Sequence, residues 1–346
     1  MNVLKNFYDY MEQQEYPISA TFVFVYNDYN TYTDDPHLEE CFDEEEVRTI
    51  IDSVSDIFET ALHFASEKAF VEWCFTRKLS SERIYVYTMA QYIEGFSRRT
   101  LVPAICQYLG FININADAYM SAIGCNKETM FKLLQSNQLK NYLAPTIFID
   151  NIEQIDYAEV ISNLGNCVIL KPINESCCID TTVLHNFDDV TLKEKLTFLI
   201  IKYGHAMVQK YIPGDEIGIT VTYHNKQMHV LSPIRLSFPP GKLYLTHEDS
   251  YYNNYYLEAC NVPTHLIESC KKMSSTLGFL CTTRFDFRYD GNNYYLFDVS
   301  PNPTVNGYTS SNYAAQNTLN CDHRGILRLM VFEKIFLFEP SFNGTP

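Results

Sequence analysis

Apolar and polar residues alternate along two lengths of chain near the C-terminus, 283–289 and 294–300, with Gly291, Asn292 and Asn293 between them. That alternation predicts two antiparallel strands joined by a tight turn. Arg284, Asp286 and Arg288 fall on one face of the first strand, Phe285 and Phe287 on the other. With a three-residue loop at 291–293, Asp290 pairs with Tyr294 and Asp286 comes opposite Asp298. Ionised carboxylates directly across a hairpin repel one another, and a divalent cation between them turns the repulsion into a site. Taken alone, the stretch reads more readily as a surface hairpin with scattered charges.

Upstream, residues 18–26 form an apolar, β-rich run that suits a buried parallel strand. Asp43, Glu44, Glu45 and Glu46 open a helix carrying Ile50, Ile51, Val54, Ile57 and Phe58 at helical spacing, with its acids where the helix dipole favours them. A helix at 70–77 and a strand at 84–87 complete a strand–helix–helix–strand order, an α/β arrangement with a parallel sheet. The loop at 94–100 leads into a helix from Leu101 that Gly110 closes, and a further helix at 126–134 contains Lys127. A turn at 142–146 crosses to a second domain. There 167–171 is an apolar strand ending on Lys171, and 206–211 is a strand followed by Pro213 and Gly214. Residues 217–223, 228–231 and 234–238 continue an antiparallel sheet, and a helix at 265–277 precedes the hairpin.

Composition narrows the class. A chain of 346 residues and 40.1 kDa exceeds one ordinary core. Its 46% hydrophobic and 14% aromatic content is that of a well-buried globular protein. A net charge of -16 with no basic stripe argues against a nucleic-acid partner, so any phosphate-binding lysine has to act locally, inside a cleft. No apolar run approaches a membrane span, and the acidic N-terminus has no secretory core. Eleven cysteines without a CxxC pair fit neither a disulfide framework nor a zinc site. Reduced thiols in a cytoplasmic protein are expected.

The order Lys127, Leu170-Lys171-Pro172, Gln209-Lys210-Tyr211-Ile212-Pro213-Gly214-Asp215-Glu216, Arg284-Phe285-Asp286 and Asp298-Val299-Ser300-Pro301-Asn302-Pro303 resembles ATP-grasp ligases of the D-alanine–D-alanine ligase type. With Glu94-Gly95, Arg98 and Val102-Pro103-Ala104, the resemblance covers nearly the whole chain. It implies a mixed α/β ATP-grasp fold with an N-terminal parallel α/β domain at 1–115. A central subdomain with the phosphate loop would follow at 116–205, and a C-terminal one with metal and catalytic residues at 206–346. It also implies ATP and one or two Mg²⁺ ions, and a ligase that joins a carboxylate to an amine through an acyl phosphate. Positioning and charge neutralisation do most of the work in such chemistry.

By resemblance, Lys127 and Lys171 would contact ATP phosphates. Gln209 and the backbone of Lys210, Tyr211 and Ile212 would read the adenine edge, and Glu216 the ribose hydroxyls. Asp286, Asp298, Ser300 and Asn302 would hold metal. Arg284 would stabilise the tetrahedral oxyanion, with Lys171 and Ser176 as the other catalytic residues. Glu94, Arg98, Thr309, Ser310 and Ser311 would meet the substrates, although Thr309 reads equally as a plain helix cap. Partners would be small, amino-acid-like molecules, with neither nucleic acid nor membrane, and a homodimer stays open.

Three departures from the family pattern stand out. The phosphate loop, residues 173–180, has no glycine, and Asp180 replaces a small residue. Ser300 stands where a metal-binding Asn is usual. The Gly-rich, acid-containing N-terminal loop is replaced by 26–32, where Tyr26, Tyr29 and Tyr32 suggest a pocket for a larger, flatter or more polar partner than alanine. Asp28, Asp34 and Asp35 are candidate amine ligands there. The expected activity is therefore an amide-forming ligase of specialised metabolism. A nucleotide-binding protein without turnover, a phosphoryl-transfer enzyme and a housekeeping D-alanine–D-alanine ligase remain alternatives.

Overall fold

The computed structural model describes residues 2–31, 41–77, 82–91, 95–135 and 139–342. The N-terminal part runs α1 (Val3–Glu12), β1 (Ile18–Val25), α2 (Glu44–Asp52), β2 (Phe58–Phe64), α3 (Glu67–Thr76), β3 (Arg83–Thr88), α4 (Leu101–Leu109) and β4 (Ile112–Asn113). Its strands form a parallel sheet in the order β2-β1-β3-β4. Every residue of β1 except Ser19 is buried, as an unbroken apolar run covered on both faces requires. Helix α2 starts on a reciprocal cap, in which Asp43 accepts from the Glu46 N–H and Glu46 accepts from the Asp43 N–H.

That helix is shorter than its apolar spacing implied. It ends at Asp52, and Phe58 begins a strand parallel to β1. The polar segment Asp52-Ser53-Val54-Ser55-Asp56 turns the chain, while Val54 and Ile57 stay fully buried. The apolar positions thus kept helical spacing although a turn, and not a helix, delivers them to the core.

A second group comprises α5 (Ala118–Gly124), α6 (Lys127–Gln135), β5 (Thr146–Ile149), α7 (Tyr157–Leu164), β6 (Cys167–Lys171), β7 (Thr182–His185), α8 (Asp189–Tyr203) and β8 (Ala206–Lys210). Its four strands are antiparallel in the order β5-β8-β6-β7, and α7 and α8 cover one face. β8 belongs to this sheet, past the expected boundary at 205. The third group is β9 (Asp215–His224), β10 (Gln227–Val230), β11 (Ile234–Ser237), α9 (His247–Tyr251), β12 (Tyr256–Ala259), α10 (Thr264–Leu277), β13 (Thr283–Tyr289), β14 (Tyr294–Ser300), α11 (Ser310–Leu319) and α12 (Gly325–Phe338). Its antiparallel sheet runs β12-β11-β9-β13-β14, with β10 on β9. Phe285 and Phe287 pack beneath it against Met273 and Leu277 of α10 and Phe131 of α6.

The last two helices return to the first domain. α12 is apolar nearly all round, which suits a helix enclosed between layers. Ile326, Leu329 and Phe332 share one core with Phe7 of α1 and Phe22 of β1. Arg328, 3% exposed, fastens this junction. Its guanidinium donates to Glu12 at 2.6 and 3.0 Å, to Asp56 at 2.8 and 3.2 Å and to the Ser53 carbonyl at 3.2 Å. The eleven cysteines are free thiols. Among the described residues no helix is long and apolar enough to cross a membrane.

Arg328→Met keeps the stem and removes the charge, leaving two carboxylates without their partner. Because the Asp56 side chain is 56% exposed, the expected loss is about 2–3 kcal/mol, at or below the low end for a broken buried pair. Urea unfolding should show a lower midpoint at unchanged slope; an unmoved midpoint would refute the clamp.

Candidate active site

The hairpin reaches its expected pairing by an unexpected route. The loop holds four residues, with Tyr289 opposite Tyr294, so Asp290 does not pair with Tyr294. Asp290 instead turns the chain by accepting the Asn292 and Asn293 N–H groups, each at 2.8 Å. A bulge then restores the register: Phe287 faces Leu296, Asp286 faces Asp298, and Phe297 is the extra residue. Its carbonyl accepts the Lys171 ammonium at 3.1 Å, and its ring lies 5.4 Å from the same nitrogen.

Asp286 is buried, and Arg284 grips it from the same strand, with Nε at 2.8 and 3.0 Å from the two oxygens and Nη2 at 2.9 Å. Burial raises the Asp286 pKa against the opposing pull of Arg284. Lys127 Nζ lies 3.6 Å from Asp298 and also donates to the Glu175 carbonyl. Lys171 ends β6 almost fully buried. Desolvation pushes its pKa down to about 8; Asp298 opposes this and Lys127 reinforces it.

The loop expected to meet phosphate, residues 173–180, is folded without glycine. Cys177, Cys178 and Asp180 have φ of 50°, 57° and 48°, the left-handed region that costs an L-residue about 1–2 kcal/mol. Anchors on three sides hold it there. Asp180 accepts from Lys202 at 2.6 Å and from the Tyr203 hydroxyl. His247 Nδ1 lies 3.0 Å from the Cys177 carbonyl. Arg98 reaches over from the first domain to Glu175 at 2.6 Å and to the Ser176 hydroxyl at 2.8 Å. Arg98 therefore tethers the loop, and the Ser176 hydroxyl accepts that tether. Glu94 lies outside the described residues.

Two cavities meet here. A narrow one of about 100 Å³ is lined by Ile169, Gln209, Ile212, Glu216, Arg288 and Phe297. A broad one of about 510 Å³ is lined by Tyr29, Glu46, Arg98, Arg284, Asp286 and Ser310 among others. Lys127, Cys178 and Asp298 border both. Lys210, Tyr211 and Lys171 also line the narrow cavity. Gln209 is 1% exposed and donates to Thr146 Oγ1 at 2.9 Å. Glu216 lies 3.2 Å from Arg288, and burial raises its pKa against that arginine.

Not every expected residue faces a cavity with free groups. Ser300 lines the broad one, directly opposite Arg284 across the ladder. Asn302 borders it too, but its carbonyl oxygen accepts the Ala116 N–H at 3.0 Å, so it fastens the approach to α5. Thr309 caps α11, and both it and Ser310 line the cavity. Ser311 is fully buried, 3.1 Å from Thr220. Tyr26 stacks on Phe24 in the core, Asp28 bridges to Phe42, and Tyr29 alone of the described tyrosines in that loop lines the cavity. Tyr32, Asp34 and Asp35 lie outside the described residues. Arg288, Phe297 and Glu46 are among the lining residues that had no assigned role. Arg288 shares a strand face with Arg284 and Asp286, which is the signal that could have found it. Glu46, which accepts from Asn306 at 3.0 Å, was hidden in a run of acids.

A parallel four-stranded sheet in the first domain followed by two antiparallel sheets makes this the mixed α/β ATP-grasp fold of D-alanine–D-alanine ligases. A D-alanine–D-alanine ligase from Bacillus anthracis matches with a TM-score of 0.67 at 14% identity, covering 92% of this chain and 98% of that one. The same ligase complexed with ATP matches with a TM-score of 0.65 at 13% identity, with the same coverage of 92% and 98%. In sequence, a D-alanine–D-alanine ligase of Thermotoga sp. (strain RQ2) is 27% identical over 143 residues, 41% of this chain and 43% of that protein. The sequence match thus spans less than half the length of that relative. No family model matches the chain.

The strained loop makes its own prediction. Glycine at 178 suits the left-handed backbone, so Cys178→Gly should leave stability within about 1 kcal/mol of the parent. Cys178→Val places a β-branched residue at positive φ and should lose about 1–2 kcal/mol or more. Equal urea midpoints for the two variants would contradict the observed backbone.

Proposed function

We propose that the protein is an ATP- and Mg²⁺-dependent carboxylate–amine ligase that forms an amide between amino-acid-like molecules. The observation that carries this is the junction of the two cavities, where Lys127, Lys171, Arg284, Asp286 and Asp298 converge. The narrow cavity suits a nucleotide, its base beside Gln209 and Ile212, its ribose near Glu216 and its phosphates toward Lys171 and Lys127. The broad cavity suits the substrates.

Asp286 and Asp298 would hold magnesium. Arg284 uses part of the Asp286 lone-pair capacity and leaves the rest. Among the described residues no group of three or more His, Cys, Asp or Glu is arranged for a metal. A two-carboxylate site that draws further ligands from phosphate and water fits that donor set. Magnesium, when bound, neutralises charge on phosphate oxygens. The chain's own groups do the remainder. Lys171 and Lys127 orient the terminal phosphate for in-line attack by a substrate carboxylate, which forms the acyl phosphate as ADP leaves. Nη1 of Arg284, which Asp286 does not engage, is the donor left for the oxyanion formed when the deprotonated amine attacks the acyl carbon and phosphate departs.

We further infer a substrate larger than alanine, because the broad cavity holds about 510 Å³ and Tyr29 and Glu46 border it. The glycine-free loop supports a second reading, a nucleotide-binding protein with weakened turnover. A panel of amino acids with MgATP separates them. The ligase should release ADP and phosphate together with a product one water lighter than its two substrates. D-alanine alone should give negligible dipeptide. Asp286→Asn should lower turnover by about 100-fold or more at unchanged melting temperature. ADP release without any condensed product, or near-parental turnover in that variant, would overturn the proposal.

The lysine adds a pH signature. With a pKa near 8, Lys171 is charged below that value and increasingly neutral above it. A bound phosphate favours the charged form. Nucleotide binding at about pH 8.5 should therefore take up a fraction of a proton, and at about pH 6.5 this group should take up almost none. Calorimetry in buffers of different ionisation heat reads the difference, which Lys171→Arg should abolish.

A further inference from the structure

Gln209 is the most deeply buried polar side chain on the narrow cavity, and its amide can present either an acceptor or a donor to whatever enters. What decides between them lies behind it. Thr146 is its register partner across β5 and β8 and does not itself line the cavity. Thr146 Oγ1 is 2.8 Å from the Ala144 carbonyl and 2.9 Å from the Gln209 amide. A carbonyl oxygen only accepts, so the single hydroxyl proton of Thr146 goes to Ala144. Oγ1 then offers Gln209 lone pairs alone, and the amide must turn Nε2 toward it. The oxygen and nitrogen of a glutamine are assigned only by such networks, and this relay leaves one choice. Oε1, to which no described residue donates, is the end left for the cavity.

Three residues on, Ile212 lies outside the β8 ladder, and its N–H donates to no described backbone carbonyl. Ile212 lines the same cavity. The lining residues therefore include one with a free acceptor, Gln209 Oε1, and one with a free backbone donor, the Ile212 N–H. A 6-aminopurine offers the complement, an N–H at C6 and a lone pair at N1. A 6-oxopurine offers the reverse, an oxygen at C6 and an N–H at N1, so both contacts would set like against like in a dry site. Buried polar groups left unpaired are costly, and sites built this way discriminate strongly.

We propose that Thr146 is a positioning residue that fixes the Gln209 amide so that the site takes adenine nucleotides and rejects guanine nucleotides. This rests on the nucleotide reading above. The test compares dissociation constants of the magnesium complexes of AMP-PNP and GMP-PNP, by calorimetry, for the parent, Thr146→Val and Thr146→Ser. The parent should prefer the adenine nucleotide by at least about 100-fold. Thr146→Val frees the amide to turn over and should bring the preference to about tenfold or less, whereas Thr146→Ser restores the relay and should keep it. Thr146→Ala gives the same readout should the valine variant not fold. A merely structural role would weaken both nucleotides alike, so a ratio in the hydroxyl-free variants within about twofold of the parent's overturns the inference. A parent that binds both nucleotides equally overturns it as well and spares the nucleotide reading. A parent that binds neither overturns both.

Discussion

Two carboxylates held face to face across an antiparallel ladder are the constraint around which this protein is arranged. Asp286 is buried and Asp298 is part-exposed, and the charge of Asp298 raises the pKa of Asp286 across the ladder. The surroundings answer with cations from different parts of the chain: Arg284 from the same strand, Lys127 from α6 and Lys171 from the end of β6. A chain of net charge -16 thus gathers three cations at one place. This is how an acidic protein can present an anion site without a basic surface.

Backbone irregularity supplies the rest of the geometry. The bulge at Phe297 does two jobs: it returns the ladder to the Asp286–Asp298 register after a four-residue loop, and it turns a carbonyl toward Lys171. The 173–180 loop holds three L-residues in the left-handed region where glycine would sit without strain. Lys202, Tyr203, His247 and Arg98 over-determine that conformation, as persistence of a strained segment requires. Arg98 also connects domains, because its contacts to Glu175 and Ser176 bring the first domain onto the loop that closes both cavities. The return of α11 and α12 to the first domain, locked by Arg328, makes that approach part of one core.

Much of this was legible in the sequence. Alternation located β13 and β14, the Pro-Gly turn located the entry to β9, and the buried strand ending on Lys171 was evident from its apolar run. Those signals are local: side-chain periodicity follows directly from backbone geometry, whatever the strand packs against. The cross-strand meeting of Asp286 and Asp298 was also foreseen, but through a three-residue loop that does not form; an extra loop residue and a bulge cancel.

Only the tertiary structure decided the remainder. Ile57 and Phe58 carry helical spacing yet belong to a turn and a strand, because tertiary pairing with β1 outweighs a weak local preference. Tyr26 packs in the core while Tyr29 faces the cavity. Asn302 and Ser311, near the site in sequence, direct their hydrogen bonds into the scaffold. The orientation of Gln209 depends on a hydroxyl 63 positions away, and the conformation of the glycine-free loop depends on anchors from α8, α9 and the first domain. Sequence determines which chemical groups are available and the local period at which they recur. Which of them share a cavity, and which end of an amide points into it, is set by long-range hydrogen bonds and packing that no local pattern records.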